Sequence, residues 1–304
     1  MSTSGLDNKD SLKIGFPKIV EKQELFRQRY LAILEEMKSE LEGKDLEQIP
    51  VDNLKRLVNL IIDLDHDNIN MFQLTEKSLE FEDITYSHIV RTTLVSHNMG
   101  RWLGFKDEEL DELSLAAFLS DLGKSKVGRD ILYKKAPLEF KEQLEVRKHV
   151  MYSYDMIKNH EEISDAVKEA VRKHHERMDG SGYPEGLKGD DIPMYARIIA
   201  FADAYNGMIS DRPYKKHITP IRAAATLLEI YAGKLDAKVL ITFLDKSIHC
   251  FLGTRVVLTG GRPAEIVFIQ KDNILRPVVR LEDTEEVINL AEKKNETIEI
   301  EDIL

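Results

Sequence analysis

Apolar residues recur at spacings of three and four between Glu21 and Glu42, with Leu31, Leu34, Met37 and Leu41 on one stripe. That period predicts an amphipathic helix closed by Gly43. A second helix is expected from Asp52 to about Met71, with Leu54, Leu57, Val58, Ile61, Ile62 and Leu64 on its buried side. Residues 1–20 are polar, carry Gly15 and Pro17 and hold no period, so they read as a loose arm ahead of a small helical module, residues 1–73. From Leu74 to Cys250 the pattern is almost purely helical. Gly104 closes one helix, Asp107 with Glu108 and Glu109 starts the next, and Pro193 and Pro220 stand near helix starts. After Cys250 the pattern turns to β-branched alternation: Thr254–Leu258, a Gly260–Gly261 turn, Ala264–Ile269 and Pro277–Leu281. The expected fold is therefore mainly α, an all-helical domain (74–250) between a helical N-terminal module and a small β appendage (251–304).

Composition narrows the function classes. With 42% hydrophobic and 32% charged residues, the 304-residue chain can bury one good core, and disordered, collagenous and coiled-coil classes are excluded. Against 43 basic side chains stand 54 acidic ones, a net charge of -11, which gives no general basic field for a nucleic-acid polymer, so any anionic ligand must be caught locally. The charge is uneven: residues 281–304 hold nine acidic and two basic side chains, net -7, which leaves -4 for residues 1–280. The final stretch is expected to be a solvated acidic tail or edge. A single cysteine, Cys250, cannot form an internal disulfide, the first residues lack the features of a secretory signal, and no apolar run approaches the ~18 residues of a membrane span. Those features together point to the cytoplasm.

Candidate chemistry lies in six residues: His88, Asp121, His149, the pair His174 and His175, and Asp203. A helical histidine is more often a surface or core residue than a ligand, and one buried aspartate is more often a salt-bridge partner or cap. Asp121 follows Leu115-Ala116-Ala117-Phe118-Leu119, however, and Asp203 follows Ile198-Ile199-Ala200-Phe201-Ala202, so both carboxylates adjoin segments that must be buried. Burying a carboxylate is costly unless it is paired or metal-bound. Imidazole and carboxylate donors suit Fe, Mn, Zn or Ni rather than Ca or Mg. Adjacent residues on a helix point about 100° apart, so His174 and His175 can share one ion only at the helix's edge.

His174-His175-Glu176-Arg177-Met178-Asp179-Gly180-Ser181-Gly182-Tyr183-Pro184 is dense in glycine and reads as a loop. Followed by Ile192-Pro193, Ala196-Arg197-Ile198-Ile199, Asp203 and Ser210-Asp211-Arg212-Pro213-Tyr214, it resembles the signature of the HD-GYP family, a branch of the HD metal-dependent phosphohydrolases whose usual substrate is cyclic di-GMP. The resemblance runs from about Thr85 to Leu281. It implies metal-assisted hydrolysis of a phosphodiester by two divalent transition ions, iron in the first place and manganese as the alternative. By motif position it implies Asp121, His149, His174 and His175 as ligands of one ion, and Asp121, Asp203 and His88 of the other. Lys124 would steady a phosphate oxygen. The Gly182-Tyr183-Pro184 loop either shapes the substrate cleft or docks GGDEF-type proteins, and its polar, glycine-rich composition favours the exposed, docking role.

Three positions depart from the family pattern: Ser120 stands where the HD dyad has its histidine, Ile84 where many members carry a glutamate, and Asn206 where an aspartate usually stands. A three-metal site is thereby disfavoured. The leading expectation is a cyclic di-GMP phosphodiesterase. Its rivals are a catalytically weakened signalling module that binds metal, nucleotide or partner proteins, and a phosphohydrolase for another nucleotide.

Overall fold

The computed structural model describes residues 10–44, 49–64, 84–210, 218–270 and 273–303. Eleven helices precede a five-stranded sheet among these residues. The N-terminal module is α1 (Asp10–Leu41) and α2 (Val51–Ile62). The chain is helical through Gly15 and Pro17, not loose as their presence suggests; Pro17 removes one N–H from the ladder without ending the helix. Phe26, Tyr30, Ile33, Leu34, Met37 and Leu41 are buried along α1 and meet the buried stripe Val51, Leu54, Leu57, Val58 and Ile61 of α2. α2 ends earlier than its periodicity suggests, with Asp63 as its C-cap; the expected continuation to Met71 falls outside the described residues.

The helical domain comprises α3 (Ile84–Leu103), α4 (Asp107–Ser120), α5 (Arg129–Leu132), α6 (Phe140–Arg147), α7 (His149–Ile157), α8 (Asp165–Lys173), α9 (Met194–Ile209), α10 (Pro220–Ile230) and α11 (Ala237–Phe251). α4 opens with three acidic residues, which suit the positive end of a helix, and the Glu109 carboxylate reaches back to accept the Lys106 N–H (3.0 Å). From Leu113 to Ser120 every residue is buried, so this helix is the centre of the domain rather than its surface. α3, α8 and α9 pack around it. Ser164 caps α8 by accepting the Val167 N–H, and Thr219 caps α10 by accepting the Arg222 N–H, with Pro220 at the helix start as its position suggests.

The C-terminal sheet is antiparallel with strand order β4-β3-β2-β1-β5, built from β1 (Arg255–Leu258), β2 (Arg262–Phe268), β3 (Val278–Leu281), β4 (Val287–Asn289) and β5 (Ile300–Ile303). The acidic stretch is thus no free tail: it supplies both edge strands. Ile288, Leu290 and Ile303 are buried among the acids, and Glu282 pairs with Arg255. Charged side chains on outer strands also protect exposed edges from further pairing. Removing residues 297–304 deletes β5 and uncovers Val256 and Leu258. The expected cost is on the order of 2–4 kcal/mol and several degrees of melting temperature; an unchanged thermal midpoint would show that β5 contributes nothing.

Candidate metal centre

All six candidate ligands converge although they come from five separate segments. Asp121 is the C-cap of α4, where the chain leaves the helix for a 3-10 turn, Leu122–Lys126. That turn is pressed onto the start of α7: Gly123 N–H donates to Ser153 Oγ (2.8 Å), and Ser153 Oγ–H donates to the Ser120 carbonyl (2.7 Å). A Cβ on Gly123 would collide with the His149 carbonyl and stand 2.5 Å from the Ser153 nitrogen, so only glycine permits this approach. Asp121 and His149, 28 positions apart, become neighbours for this reason, with His149 Nε2 3.2 Å from Asp121 Oδ1.

His174 is the C-cap of α8 and His175 lies just past the helix end, so the 100° constraint of a continuing helix does not apply. Their rings lie 4.3 Å apart at 43°. His149 Nδ1–H donates to the Val146 carbonyl (2.6 Å) and His174 Nδ1–H to the Val171 carbonyl (2.7 Å). A carbonyl only accepts, so both rings carry their proton on Nδ1 and turn a bare Nε2 lone pair inward, the orientation that backbone carbonyls commonly give metal-binding histidines. Asp203, midway along the apolar helix α9, and His88, on α3, complete the other side: His88 Nε2 lies 3.1 Å from Asp203 Oδ1 and 3.2 Å from Asp121 Oδ2. His175 Nδ1 lies 3.7 Å from Asp203 Oδ2.

Two donor groups emerge, Asp121–His149–His174–His175 and His88–Asp121–Asp203, with Asp121 in both. The donor set fits cations. His149 Nε2 and His174 Nε2 are 3.4 Å apart, two lone pairs facing each other, and both point toward Asp121 Oδ1, which is buried with no hydrogen-bond partner. Burial opposes ionisation of Asp121 and Asp203, yet Lys124 and His88 around the first, and His175 with His88 around the second, hold both well below the ordinary carboxylate value. Burial also keeps His175 neutral and lowers His174 to about 4 despite the pull of Asp121. Three electron pairs thus converge with no donor between them, an arrangement that a metal ion satisfies.

Lys124 stands at the mouth, its Nζ 2.8 Å from Asp121 Oδ2 and partly exposed, within a cleft of about 270 Å³ that also touches His88, His149, His175, Tyr183 and Asp203. Tyr183 turns inward and stacks on His175 at 4.7 Å and 21°, while Pro184 is exposed. The glycine-rich loop therefore presents one residue to the cleft and the next to solvent. Sequence inspection missed what holds it. Glu176 is buried, and its carboxylate accepts the backbone N–H groups of Glu185 (2.7 Å), Gly186 (3.1 Å) and Leu187 (3.0 Å). Gly182 packs so tightly on the His175–Arg177 backbone that a Cβ would lie 2.5 Å from three of its atoms. A glutamate directly ahead of a glycine-rich loop, whose backbone N–H groups need acceptors, is the signal the sequence carries.

The three departures fall differently. Ser120 is buried and its hydroxyl donates to the Ala117 carbonyl (2.8 Å), so it is spent on the helix. Asn206 is buried and donates through Nδ2 to Thr92 Oγ1 (3.2 Å). Ile84 begins α3, but its side chain, like that of Cys250, lies outside the described residues, as does the whole Asp211–Tyr214 segment of the signature.

A helical domain whose buried centre gathers histidines and aspartates about one shared carboxylate is the arrangement of an HD-type domain. The chain belongs to the HD domain family, whose family model matches residues 70–239, and within it resembles the HD-GYP type. It is 32% identical over 201 residues to a cyclic di-GMP phosphodiesterase of Pseudomonas aeruginosa, covering 66% of this chain and 48% of that one. It is 34% identical over 161 residues to the cyclic di-GMP phosphodiesterase response regulator RpfG of Xanthomonas campestris, covering 52% and 42%. A 3'3'-cGAMP-specific phosphodiesterase of Vibrio cholerae is 32% identical over 160 residues, covering 52% and 31%. The chain thus spans less than half the length of these curated relatives. A solved HDG"Y"P protein from Bdellovibrio bacteriovorus shares the fold, with a TM-score of 0.52 at 17% identity over 74% of this chain and 70% of that one. No helix among the described residues is long and apolar enough to cross a membrane.

The neutral His174 gives a pH test. An unfolded imidazole protonates near 6.5 and the folded one at about 4, so between these values the unfolded chain binds more protons. Folding stability is expected to be full above about pH 6.5 and to fall as pH drops toward 4, read from urea midpoints. Stability that is flat or rises over that window would contradict a buried neutral imidazole.

Proposed function

We propose that the chain is a metal-dependent phosphodiesterase that hydrolyses cyclic di-GMP. The observation that carries this reading is the position of Asp121 in both donor groups, with Lys124 beside it at the mouth of the cleft. Asp121, His149, His174 and His175 would hold one divalent ion, and Asp121, Asp203 and His88 the second. With imidazole and carboxylate donors and no thiolate, iron is the first choice and manganese the alternative. Ions bound there would act as Lewis acids toward the phosphodiester and acidify a water.

The protein's own groups do the rest. Lys124 Nζ, released in part from Asp121, donates to a non-bridging phosphate oxygen. The Val146 and Val171 carbonyls hold His149 and His174 in the tautomer that faces inward. The Tyr183 ring fixes the plane of His175 and closes one wall, and burial raises its phenol above the usual value, so it stays a hydrogen-bond donor. The names of the relatives support a cyclic dinucleotide, and those named for cyclic di-GMP agree with the HD-GYP signature. The exposed side of the loop at Pro184 is the place for a GGDEF-type partner, as the family resemblance suggests. The lone cysteine fits a cytoplasmic setting.

One observation favours a second reading, a weakened signalling module. Ser120 commits its hydroxyl to Ala117, so the donor that the HD dyad would supply is lacking.

Incubation of the full chain, loaded with Fe(II) or Mn(II) under reducing conditions, with cyclic di-GMP and separately with 3'3'-cGAMP decides between them. Cyclic di-GMP is expected to be converted to the linear dinucleotide or GMP. Lys124→Ala should reduce kcat by roughly a hundredfold with metal content retained. Metal-loaded protein that yields neither product would overturn the enzyme reading and leave the signalling module.

A further inference from the structure

A cyclic dinucleotide carries two phosphodiesters on opposite sides of its ring. If one lies against Asp121 and Lys124, the other, with its nucleoside, must find room and counter-charge elsewhere. The metal cleft of about 270 Å³ adjoins a second, larger lobe of about 550 Å³, and Thr85, Lys124, Leu132 and Tyr133 form walls of both. The lobe's far wall is the end of α1, Leu41 to Lys44.

In a chain of net charge -11 this lobe is basic. Lys44, Lys124, Lys126 and Arg129 line it against one acidic residue, Glu42. Lys44 is paired with Glu40 at 3.3 Å, and Arg129 is 3.9 Å from Glu42. Lys126 is exposed and has no carboxylate partner among the described residues, so its ammonium is available to an anion. The Arg129 guanidinium lies 5.3 Å from the centroid of the Tyr133 ring. Tyr133 is a wall of both lobes and Arg129 of the larger one, and together they offer a planar, cationic surface of the kind on which a purine stacks. Resting on the phosphodiesterase reading, we infer that this lobe is the subsite for the second nucleotide of the cyclic dinucleotide, with Lys126 taking its phosphate and the Arg129–Tyr133 pair its base. The N-terminal module is then part of the substrate cleft through Leu41–Lys44 rather than a remote attachment.

Both key side chains are exposed, so their replacement leaves the core untouched. Calorimetric titration of the full chain with cyclic di-GMP and with GMP, which brings a single phosphate, tests the assignment without requiring turnover. Lys126→Ala/Arg129→Ala should weaken cyclic di-GMP binding about tenfold or more and GMP binding less than about twofold, and Lys126→Arg should restore part of the loss. Unchanged cyclic di-GMP affinity, or an equal weakening of both ligands, would overturn the subsite. Its failure is separable from that of the enzyme reading: wild-type protein that binds cyclic di-GMP with the predicted variant effect but forms no product keeps the subsite and loses the hydrolase. Wild-type protein that turns cyclic di-GMP over while the double variant binds it normally does the reverse.

Discussion

The buried carboxylate of Asp121 is the constraint on which the rest depends. It sits at the end of a helix whose last eight residues are all buried, where an unpaired charge is expensive, and Lys124 compensates only one of its oxygens. The other oxygen faces two imidazole lone pairs whose protons are committed to backbone carbonyls. Hydrophobic burial of α4 puts the acid there, and the neighbouring groups hold it ionised; electroneutrality and lone-pair satisfaction then call for cations. This is why one aspartate belongs to both donor groups.

Precision at that point comes from a second layer that has no chemistry of its own. Gly123 and Ser153 lock the turn after α4 onto α7, which sets the Asp121–His149 distance. Glu176 gathers three N–H groups of the following loop, and Gly182 lets that loop lie flat on the His175–Arg177 backbone, which brings Tyr183 over His175. The three hydrogen bonds to a buried carboxylate are charge-assisted, and each is worth more than a neutral bond. A loop whose glycine content reads as solvent-exposed is therefore half in the cleft.

How much was legible in the sequence follows from which signals are local. The helical domain, the starts of α4 at Asp107 and of α10 at Pro220, and the first strands are written in period and turn chemistry. So were the six candidate ligands, because aspartates that follow apolar runs must be buried and an ordered motif ties them to the histidines. The positive charge of the large lobe was not legible: Lys44 and Arg129 belong to different segments and meet only through the packing of α1 near the turn after α4. The final strands read as tail or edge because nine acidic residues stand there against two basic ones, while burial of Ile288, Leu290 and Ile303 needs only a few apolar positions among them. At the other end, Gly15 and Pro17 overstated the break, since a single missing N–H does not end a helix.

The most direct test of the account is elemental analysis of the full chain purified under reducing conditions with iron and manganese supplied. About two transition-metal equivalents per chain are predicted, held by the two donor groups. Asp121→Asn should lose both ions, because it belongs to each group, whereas His88→Ala should lose only one. Protein that takes up no transition metal, or an Asp121→Asn variant that keeps its full content, would contradict the central claim that the buried aspartate is there to bridge two ions.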